Sequence, residues 1–136
     1  MTQKLHSILL IDDDEPTNFL HQLVINQTDC TNHCTIVESG QDALEYLNDS
    51  SNPIPDMILL DINMPIMNGW DFLEAYQNQN IPHKDKIMVV MLTTSISLHE
   101  EEKAKSMKVI QDFRRKPLTT TMLKELVEVH FSASVS

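Results

Sequence analysis

The sequence of 136 residues has no apolar run that approaches the length of a membrane-spanning helix, which takes about 20 residues. Its first residues, MTQKLH, also lack the apolar segment of a secretory signal peptide. We therefore expect no membrane association and a cytoplasmic location. A chain of this length is one domain by default and can bury a substantial core. We expect a single domain over 1–136, with a core of about 5–131 and a flexible tail at 132–136.

Cysteine is scarce, with Cys30 and Cys34 as the two examples. Together with His33 they offer three metal ligands at most, whereas a structural zinc site uses four. We therefore favour two reduced thiols near a loop over a zinc site. The sequence predicts no disulfide framework, which is usual for a protein of the reducing cytoplasm.

Basic residues are also few, because 10 lysines and arginines stand against 20 aspartates and glutamates, for a formal charge of −10. Modules that bind nucleic acid usually carry a basic patch, so this balance argues against a nucleic-acid partner. We interpret part of the negative charge as belonging to a cation site.

Two continuous apolar runs end directly at carboxylates. Residues 57–60 (MILL) precede Asp61, and residues 8–11 (ILLI) precede Asp12, Asp13 and Asp14. Such runs are typical of strands that are buried on both faces of a parallel sheet. Open α/β sheets place their chemistry at the carboxyl ends of their strands. The position of Asp61 therefore predicts a functional residue at the end of a central strand.

The rest of the chain alternates between helical and strand patterns. A first helix is predicted over about 16–26, where Phe19, Leu20, Leu23 and Val24 recur at helical spacing. Further helices are predicted after Ser39, after Asn68-Gly69, over 98–107 and after 119–121, and further strands at 35–37, 87–92 and 111–115, with 27–33 as a polar connection. Five βα units predict an α/β fold of the flavodoxin-like, doubly wound (βα)5 type. The most apolar strands belong at the centre, which gives a parallel sheet of order 2-1-3-4-5.

In this sheet the carboxyl ends of four strands would bring together Asp12 and Asp13, Asp61, Thr93 and Lys116. Three converging carboxylates repel one another, and a divalent cation such as Mg²⁺ would relieve that repulsion. Lys116 adds a fixed positive charge and Thr93 a hydroxyl. The set suits phosphoryl transfer with Asp61 as the nucleophile, which would form an acyl phosphate.

Each of these residues also has an ordinary explanation when it is taken alone. An aspartate pair after a strand is commonly a helix cap, and Asp61 could be a turn residue. Thr93 could satisfy backbone groups at a strand end, and Lys116 could be a solvated lysine. Their joint order, each at the end of its own strand, favours one common site. We interpret Arg114 and Arg115, just before this lysine, as a solvent-facing pair, with contact between one of them and an acidic partner as the alternative.

Four motifs together resemble the signature of the receiver domain of two-component response regulators, in particular the stand-alone, chemotaxis-regulator-like type. They are 8–14 (ILLIDDD), 60–65 (LDINMP) with Asn68-Gly69, 92–95 (LTTS) and 115–117 (RKP). The resemblance covers residues 5–131, and it implies a domain that takes a phosphoryl group from a sensor histidine kinase or a histidine phosphotransfer protein.

The resemblance implies a role for each acidic residue. Asp61 would accept the phosphoryl group, and Asp13 and Asp61 would ligate Mg²⁺ directly together with the backbone carbonyl of Asn63. Asp12 would act largely through a metal-bound water, and Mn²⁺ is an alternative ion. No organic cofactor is implied. The Lys116-Pro117 bond is expected to be cis, as in the family.

The resemblance also implies a switch. Lys116 would pair with the phosphoryl oxygens, and Thr93 would move towards them, so that the aromatic residue Phe113 turns inward. Many relatives have tyrosine at this position, so the switch here lacks a hydroxyl. Asn63 and Ser95 occupy the positions at which the family tunes the rate of dephosphorylation.

The leading hypothesis is a stand-alone phosphoacceptor signalling protein rather than an enzyme, because little sequence remains after Phe131 for an output domain. Its phosphorylated face, formed by the fourth helix, fifth strand and fifth helix, would bind an unknown downstream protein. One alternative is a metal-dependent phosphohydrolase, but the position that would hold its general acid is Asn63. The others are a phosphorylation-independent interaction module and a flavodoxin, whose phosphate ligand the acids at 12–15 would repel.

Overall fold

The computed structural model describes residues 4–94 and 97–131. These residues form five strands and five α-helices in strict alternation, with one short 3-10 turn. The elements are β1 (Leu5–Ile11), α1 (Glu15–Thr28), β2 (Thr31–Val37), α2 (Gly40–Asn48), β3 (Met57–Asp61), α3 (Gly69–Asn78), the turn Lys84–Lys86, β4 (Met88–Thr93), α4 (Leu98–Ser106), β5 (Ile110–Arg115) and α5 (Thr120–Phe131). The expectation of a flexible tail at 132–136 lies outside the described residues.

The five strands form one parallel sheet in the order β2-β1-β3-β4-β5. This order confirms the predicted flavodoxin-like, doubly wound topology. All residues of β3 and β4 are buried, as the predicted central position of these strands requires. Because the strands are parallel, their carboxyl ends share one edge of the sheet.

Helices cover both faces of the sheet, and neighbouring residues of each central strand point to opposite faces. Ile8 and Leu10 of β1 belong to a cluster that includes residues of α1 and α5. Leu9 and Ile11 belong to a second cluster, which includes residues of α2 and α3. The unbroken apolar run of β1 therefore supplies two cores at once, which explains why it does not alternate with polar residues.

The predicted polar connection at 27–33 is wrong, because α1 continues to Thr28 and β2 already begins at Thr31. The pairing of β1 with β2 begins at Leu5 and Thr31, so the first residues of β2 in the sheet are polar. An edge strand tolerates such residues because part of its surface faces water. Cys30 is buried between the two elements and Cys34 lies within β2, and both thiols are free. Burial raises the pKa of Cys34 to about 11.

The apolar positions predicted for α1 do not form its buried face. Phe19, Leu20 and Leu23 are 64%, 56% and 43% exposed, whereas Asn18, His21 and Ile25 are buried. The structure confirms the first helix, but the face that packs on the sheet contains Asn18 and His21 instead of the apolar residues. Asn18 and His21 tolerate burial because each has a hydrogen-bond partner outside the helix.

Other local predictions agree with the structure. The Lys116-Pro117 peptide bond is cis. Glu101 and Lys105 form an i,i+4 ion pair on the surface of α4, at 3.2 Å. No helix among the described residues is both long enough and apolar enough to cross a membrane.

Candidate functional site

The loop after β1 begins with Asp12, which the edge of the sheet holds in place. Its backbone N–H donates to the carbonyl of Val37 at 3.1 Å, and its side chain accepts the N–H of Asp14 at 2.9 Å. Asp14 in turn caps α1 and accepts hydrogen bonds from the hydroxyl and the N–H of Thr17, which lower its pKa. Asp12 is therefore buried, 2% exposed, while Asp13 faces solvent.

Asp61 ends β3 and is 5% exposed. The loop that follows turns back so tightly that the N–H of Gly69 donates to the carbonyl of Ile62 at 2.8 Å. A side chain at position 69 would place its Cβ 2.7 Å from the carbonyl oxygen of Asp61 and 2.9 Å from the Cα of Ile62. Glycine is therefore required here by the close approach of α3 to the end of β3. Asn68 caps α3 in a reciprocal capping box with Asp71.

Lys116 follows the last residue of β5 and reaches across the edge of the sheet. Its backbone N–H donates to the carbonyl of Thr93 at 2.6 Å. Its ammonium Nζ lies 2.6 Å from Asp12 Oδ2 and 2.8 Å from Asp61 Oδ1. The side chains of these three residues come from β1, β3 and β5 and form one buried charged cluster, as the sequence predicted.

The electrostatics of this cluster follow from burial and proximity. Burial raises the pKa of Asp61, and the negative charge of Asp12 raises it further, while hydrogen bonds from Lys116 and the Asn63 backbone act against that rise. Burial alone would lower the pKa of Lys116, but its hydrogen bonds and charge contacts with Asp12 and Asp61 raise it. Lys116 is therefore a permanent cation, and the carboxylate of Asp61 is destabilised relative to its protonated form.

Asp12, Asp13 and Asp61 each offer a carboxylate oxygen, and these oxygens lie within 4.8 Å of one another. Three carboxylates against one ammonium leave an excess of negative charge. Hard oxygen ligands of this kind suit Mg²⁺, which binds through one or two carboxylates and keeps several waters. The donor set therefore fits a divalent cation, and it supports the predicted acidic site against the reading of these residues as helix caps alone.

The remaining predicted residues lie around this cluster. Thr93 ends β4, is buried, and pairs with Arg115 of β5. Asn63 is exposed in the loop after β3. Phe113 lies in the middle of β5, partly buried against the core cluster of α2 and α3. The prediction for Ser95 lies outside the described residues.

The interpretation of two solvent-facing arginines is wrong for Arg114. Its guanidinium donates to both carboxylate oxygens of Asp112, at 3.0 and 3.2 Å, and to Glu125 of α5 at 3.0 Å. These contacts raise the pKa of Arg114. The partner in α5 is eleven residues away in the chain, so only the tertiary fold brings the pair together. Arg115 is exposed, as expected.

Asn18 and His21 of α1 were not predicted as functional residues, yet both contact chain segments that carry site residues. Asn18 Nδ2 donates to the backbone carbonyl of Asp12 at 2.8 Å. The backbone N–H of Leu118 donates to His21 Nε2 at 3.2 Å. The one signal available in the sequence was two polar residues at i,i+3 spacing, a pattern that is equally common on a solvated helix face.

Comparisons with known proteins agree with this geometry. The family model described as response regulator receiver domain matches residues 8–128. Two-component response regulator 24 of Arabidopsis thaliana is 30% identical over 120 residues, which is 88% of this chain and 79% of that protein. The crystal structure of a two component response regulator from Cytophaga hutchinsonii superposes with a TM-score of 0.87 at 33% identity, covering 93% of this chain and 97% of the other.

A third relative is response regulator Rcp1 of Synechocystis, which is 34% identical over 100 residues, or 70% of this chain and 64% of that protein. The Mn²⁺-bound form of Rcp1 superposes with a TM-score of 0.70 at 26% identity, covering 91% of this chain and 90% of the other. Several other curated relatives are much larger, and this chain spans 6% to 26% of their length. Receiver domains are phosphoacceptor domains that are phosphorylated on aspartate in two-component signalling. The family match over nearly the whole chain shows that it belongs to the response regulator receiver domains.

Proposed function

We propose that Asp61 is the aspartate that accepts the phosphoryl group. The observation that carries this proposal is the position of Lys116, whose ammonium lies between Asp61 and Asp12 at 2.8 and 2.6 Å. A phosphoryl group joined to Asp61 would bring its oxygens to this cation. Asp61 is also the one carboxylate of the cluster at the end of a central strand, with Asp12 and Asp13 in the loop of the neighbouring strand.

The reaction would form an O–P bond from a carboxylate oxygen of Asp61 while the N–P bond of a phosphohistidine breaks. The leaving imidazole keeps the electron pair of that bond and takes up a proton. Lys116 stabilises negative charge on the phosphoryl oxygens, and the hydroxyl of Thr93 provides a hydrogen bond to one of them. Burial of Asp61 and Asp12 keeps water away and strengthens these interactions.

We propose Mg²⁺ as the ion of this site, with Mn²⁺ as an alternative. Asp13 and Asp61 would hold it directly with the backbone carbonyl of Asn63, and Asp12 through a bound water. A bound divalent cation neutralises charge that develops on the phosphoryl oxygens. The carboxylate oxygens of Asp12, Asp13 and Asp61, which lie within 4.8 Å of one another, support this assignment. The Mn²⁺-bound form of the relative Rcp1 supports it as well.

The direct test is phosphorylation by a small donor, phosphoramidate or acetyl phosphate, in the presence of Mg²⁺. We expect the intact protein to gain the mass of one phosphoryl group, and this gain should vanish with EDTA or in Asp61→Asn. Asp85→Asn, an exposed aspartate remote from the site, is the matched control and should be phosphorylated normally. Equal phosphorylation of Asp61→Asn and the wild-type protein would refute the assignment.

We further propose that residues 1–136 form one signalling domain, not an enzyme, and that it works in the cytoplasm with a sensor histidine kinase or histidine phosphotransfer protein. The two free thiols are consistent with a reducing compartment. Neither nucleic acid nor membrane is proposed as a partner, in line with the excess of acidic residues.

The output would pass through the face formed by α4, β5 and α5. Thr93 would move towards the phosphoryl group and Phe113 would turn inward, and a downstream protein would bind the altered face. Phe113 is only partly buried, which leaves its ring able to change its packing. Asn63 and Ser95 would set the rate of dephosphorylation. Amide chemical shifts recorded with and without beryllofluoride and Mg²⁺ should change most in β5 and its neighbours, and unchanged shifts there would contradict this switch.

A further inference from the structure

The face of α1 that packs on the sheet is partly polar. Asn18 and His21 are 4% and 1% exposed and lie three residues apart, on one side of the helix. Asn18 contacts the end of β1 through the carbonyl of Asp12, and His21 contacts the segment after β5 through the N–H of Leu118. One helix turn therefore holds the two chain segments that supply Asp12 and Lys116 to the site.

The N–H of Leu118 lies between β5 and α5 and takes part in the backbone hydrogen bonding of neither element. Lys116 is the last residue whose N–H bonds across the sheet, to the carbonyl of Thr93, and Pro117 has no N–H. The helix α5 begins at Thr120, two residues after Leu118. Because Leu118 as a whole residue is 2% exposed, its N–H needs a partner from the protein, and His21 Nε2 provides it.

This hydrogen bond defines the state of the imidazole. Since Nε2 accepts a hydrogen bond from the N–H of Leu118, it carries no proton itself, and the neutral ring has its proton on Nδ1. Burial lowers the pKa of His21, and the positive charge of Lys116 lowers it further against the opposing effect of Asp12. His21 Nδ1 has no hydrogen-bond partner within the described part of the chain. A leucine would fill the same space without burying an unpaired nitrogen, so the acceptor is what distinguishes histidine here.

We propose that His21 is a positioning residue that fixes the location of the Lys116 ammonium through the N–H of Leu118. The inference rests on the proposed phosphoacceptor function of Asp61. The segment 116–118 is held on one side by the sheet, through Lys116 N–H and Thr93 O, and on the other side by α1, through His21. With both anchors in place, the ammonium lies within 2.8 Å of both buried carboxylates.

Loss of the His21 acceptor should affect the rate of phosphoryl transfer more than the binding of the ion. The carboxylates of Asp12, Asp13 and Asp61 come from the ends of β1 and β3, and their backbone does not depend on Leu118. Misplacement of a catalytic group by about 1 Å can cost on the order of a hundredfold in rate. Because the anchor at Thr93 remains, we expect a smaller loss, of about tenfold, in the maximal rate constant.

The experiment compares His21→Leu, which removes the acceptor, with His21→Gln, whose side-chain oxygen can take the place of Nε2. Ile25→Ala is the matched control, since Ile25 is the next buried residue of α1 and makes no such hydrogen bond. The rate of phosphorylation is measured over a range of phosphoramidate at saturating Mg²⁺, and Mg²⁺ affinity by isothermal titration calorimetry. We expect a lower maximal rate in His21→Leu with a much smaller change in Mg²⁺ affinity, recovery of the rate in His21→Gln, and no loss in Ile25→Ala at equal folded fraction.

Two measurements on the unphosphorylated protein keep this test separate from the proposed function. A scalar coupling across the hydrogen bond between the ¹⁵N nuclei of Leu118 and His21 Nε2 should be detectable in the wild-type protein. The ¹⁵Nζ signal of Lys116 should shift in His21→Leu and return in His21→Gln. Absence of the coupling, an unmoved Lys116 signal, or an equal rate loss in Ile25→Ala would overturn the inference. A wild-type protein that takes no phosphoryl group but passes both NMR measurements would refute the phosphoacceptor function and leave the positioning contact intact.

Discussion

Replacement of Lys116 by methionine removes the cation from between two buried carboxylates while it keeps an unbranched side chain of similar length. In the native structure the ammonium lies 2.6 Å from Asp12 and 2.8 Å from Asp61, and its own side chain is 10% exposed. In Lys116→Met these carboxylates face each other without a counter-charge. We expect this variant to be markedly less stable than the wild-type protein in the absence of a divalent cation.

The magnitude follows from the burial of the three groups. Two unit charges 4 Å apart interact by about 4 kcal/mol at an effective dielectric constant of 20. Removal of one partner from a buried ion pair costs roughly 3–5 kcal/mol, because the remaining charge is left desolvated. We therefore expect the free energy of unfolding to fall by roughly 3–5 kcal/mol near neutral pH. This is a large fraction of the total stability of a small domain, which is about 5–15 kcal/mol.

The loss should depend on pH and on Mg²⁺. Burial and the charge of Asp12 already raise the pKa of Asp61 in the folded protein. A carboxyl group with a raised folded pKa binds its proton more tightly in the folded state, so the deficit of Lys116→Met should shrink as the pH falls. The variant should bind Mg²⁺ more tightly than the wild-type protein, because the competing ammonium is gone. Mg²⁺ should therefore reduce the deficit, by about 1.4 kcal/mol for each tenfold difference in affinity at concentrations that saturate both proteins.

The assay is urea unfolding followed by the fluorescence of Trp70, the single tryptophan of the chain. Lys105→Met is the matched control, since Lys105 makes an exposed pair with Glu101 and its loss should cost less than about 1 kcal/mol. Equal losses in the two variants would refute the reasoning that the Lys116 cluster is a buried charge system. So would a loss in Lys116→Met that neither acid nor Mg²⁺ reduces.

Two further predictions follow from the same site. Asp61→Asn should raise the free energy of unfolding at neutral pH, because it removes a carboxylate whose folded pKa is raised, and urea unfolding should show this gain vanish at acidic pH as wild-type Asp61 becomes protonated. Gly69→Ala should lose about 1–3 kcal/mol by overpacking, since its Cβ would lie 2.7 Å from the backbone oxygen of Asp61. Gly40→Ala is its control and should lose less, because the nearest atom there is the flexible end of Met67.

The parts of the fold that the sequence predicted are those with a local cause. The apolar runs of β1, β3 and β4 are long enough to be recognised without any knowledge of their partners, and each ends at a polar residue that marks the edge of the sheet. The start of α2 directly after Ser39 was also predicted, and there the Ser39 side chain caps the helix through a contact within four residues. Asp12, Asp61 and Lys116 could be assigned to one site because parallel strands bring their carboxyl ends together.

The parts that the sequence did not predict depend on contacts between distant segments. The apolar residues Phe19, Leu20 and Leu23 suggested one face of α1, but docking on the sheet buried another. Arg114 was interpreted as solvated because its partner in α5 is a tertiary neighbour rather than a local one. Long polar side chains leave no periodic signal that separates a solvated position from a paired one.

Polar residues of this domain divide into those that stabilise it and those whose burial has a cost. Asn68, which is partly exposed, accepts the N–H of Asp71 at the start of α3, and such caps contribute about 1 kcal/mol. Asp61 and His21 behave differently, since burial disfavours the charged form of each and His21 buries a nitrogen that has no partner among the described residues. The buried N–H of Leu118 gives a reason to keep a hydrogen-bond acceptor at position 21, whereas stability gives none for an aspartate at position 61. The function proposed above gives a reason for both residues, because the aspartate would supply the nucleophile and the histidine would hold the segment that delivers its counter-ion, Lys116.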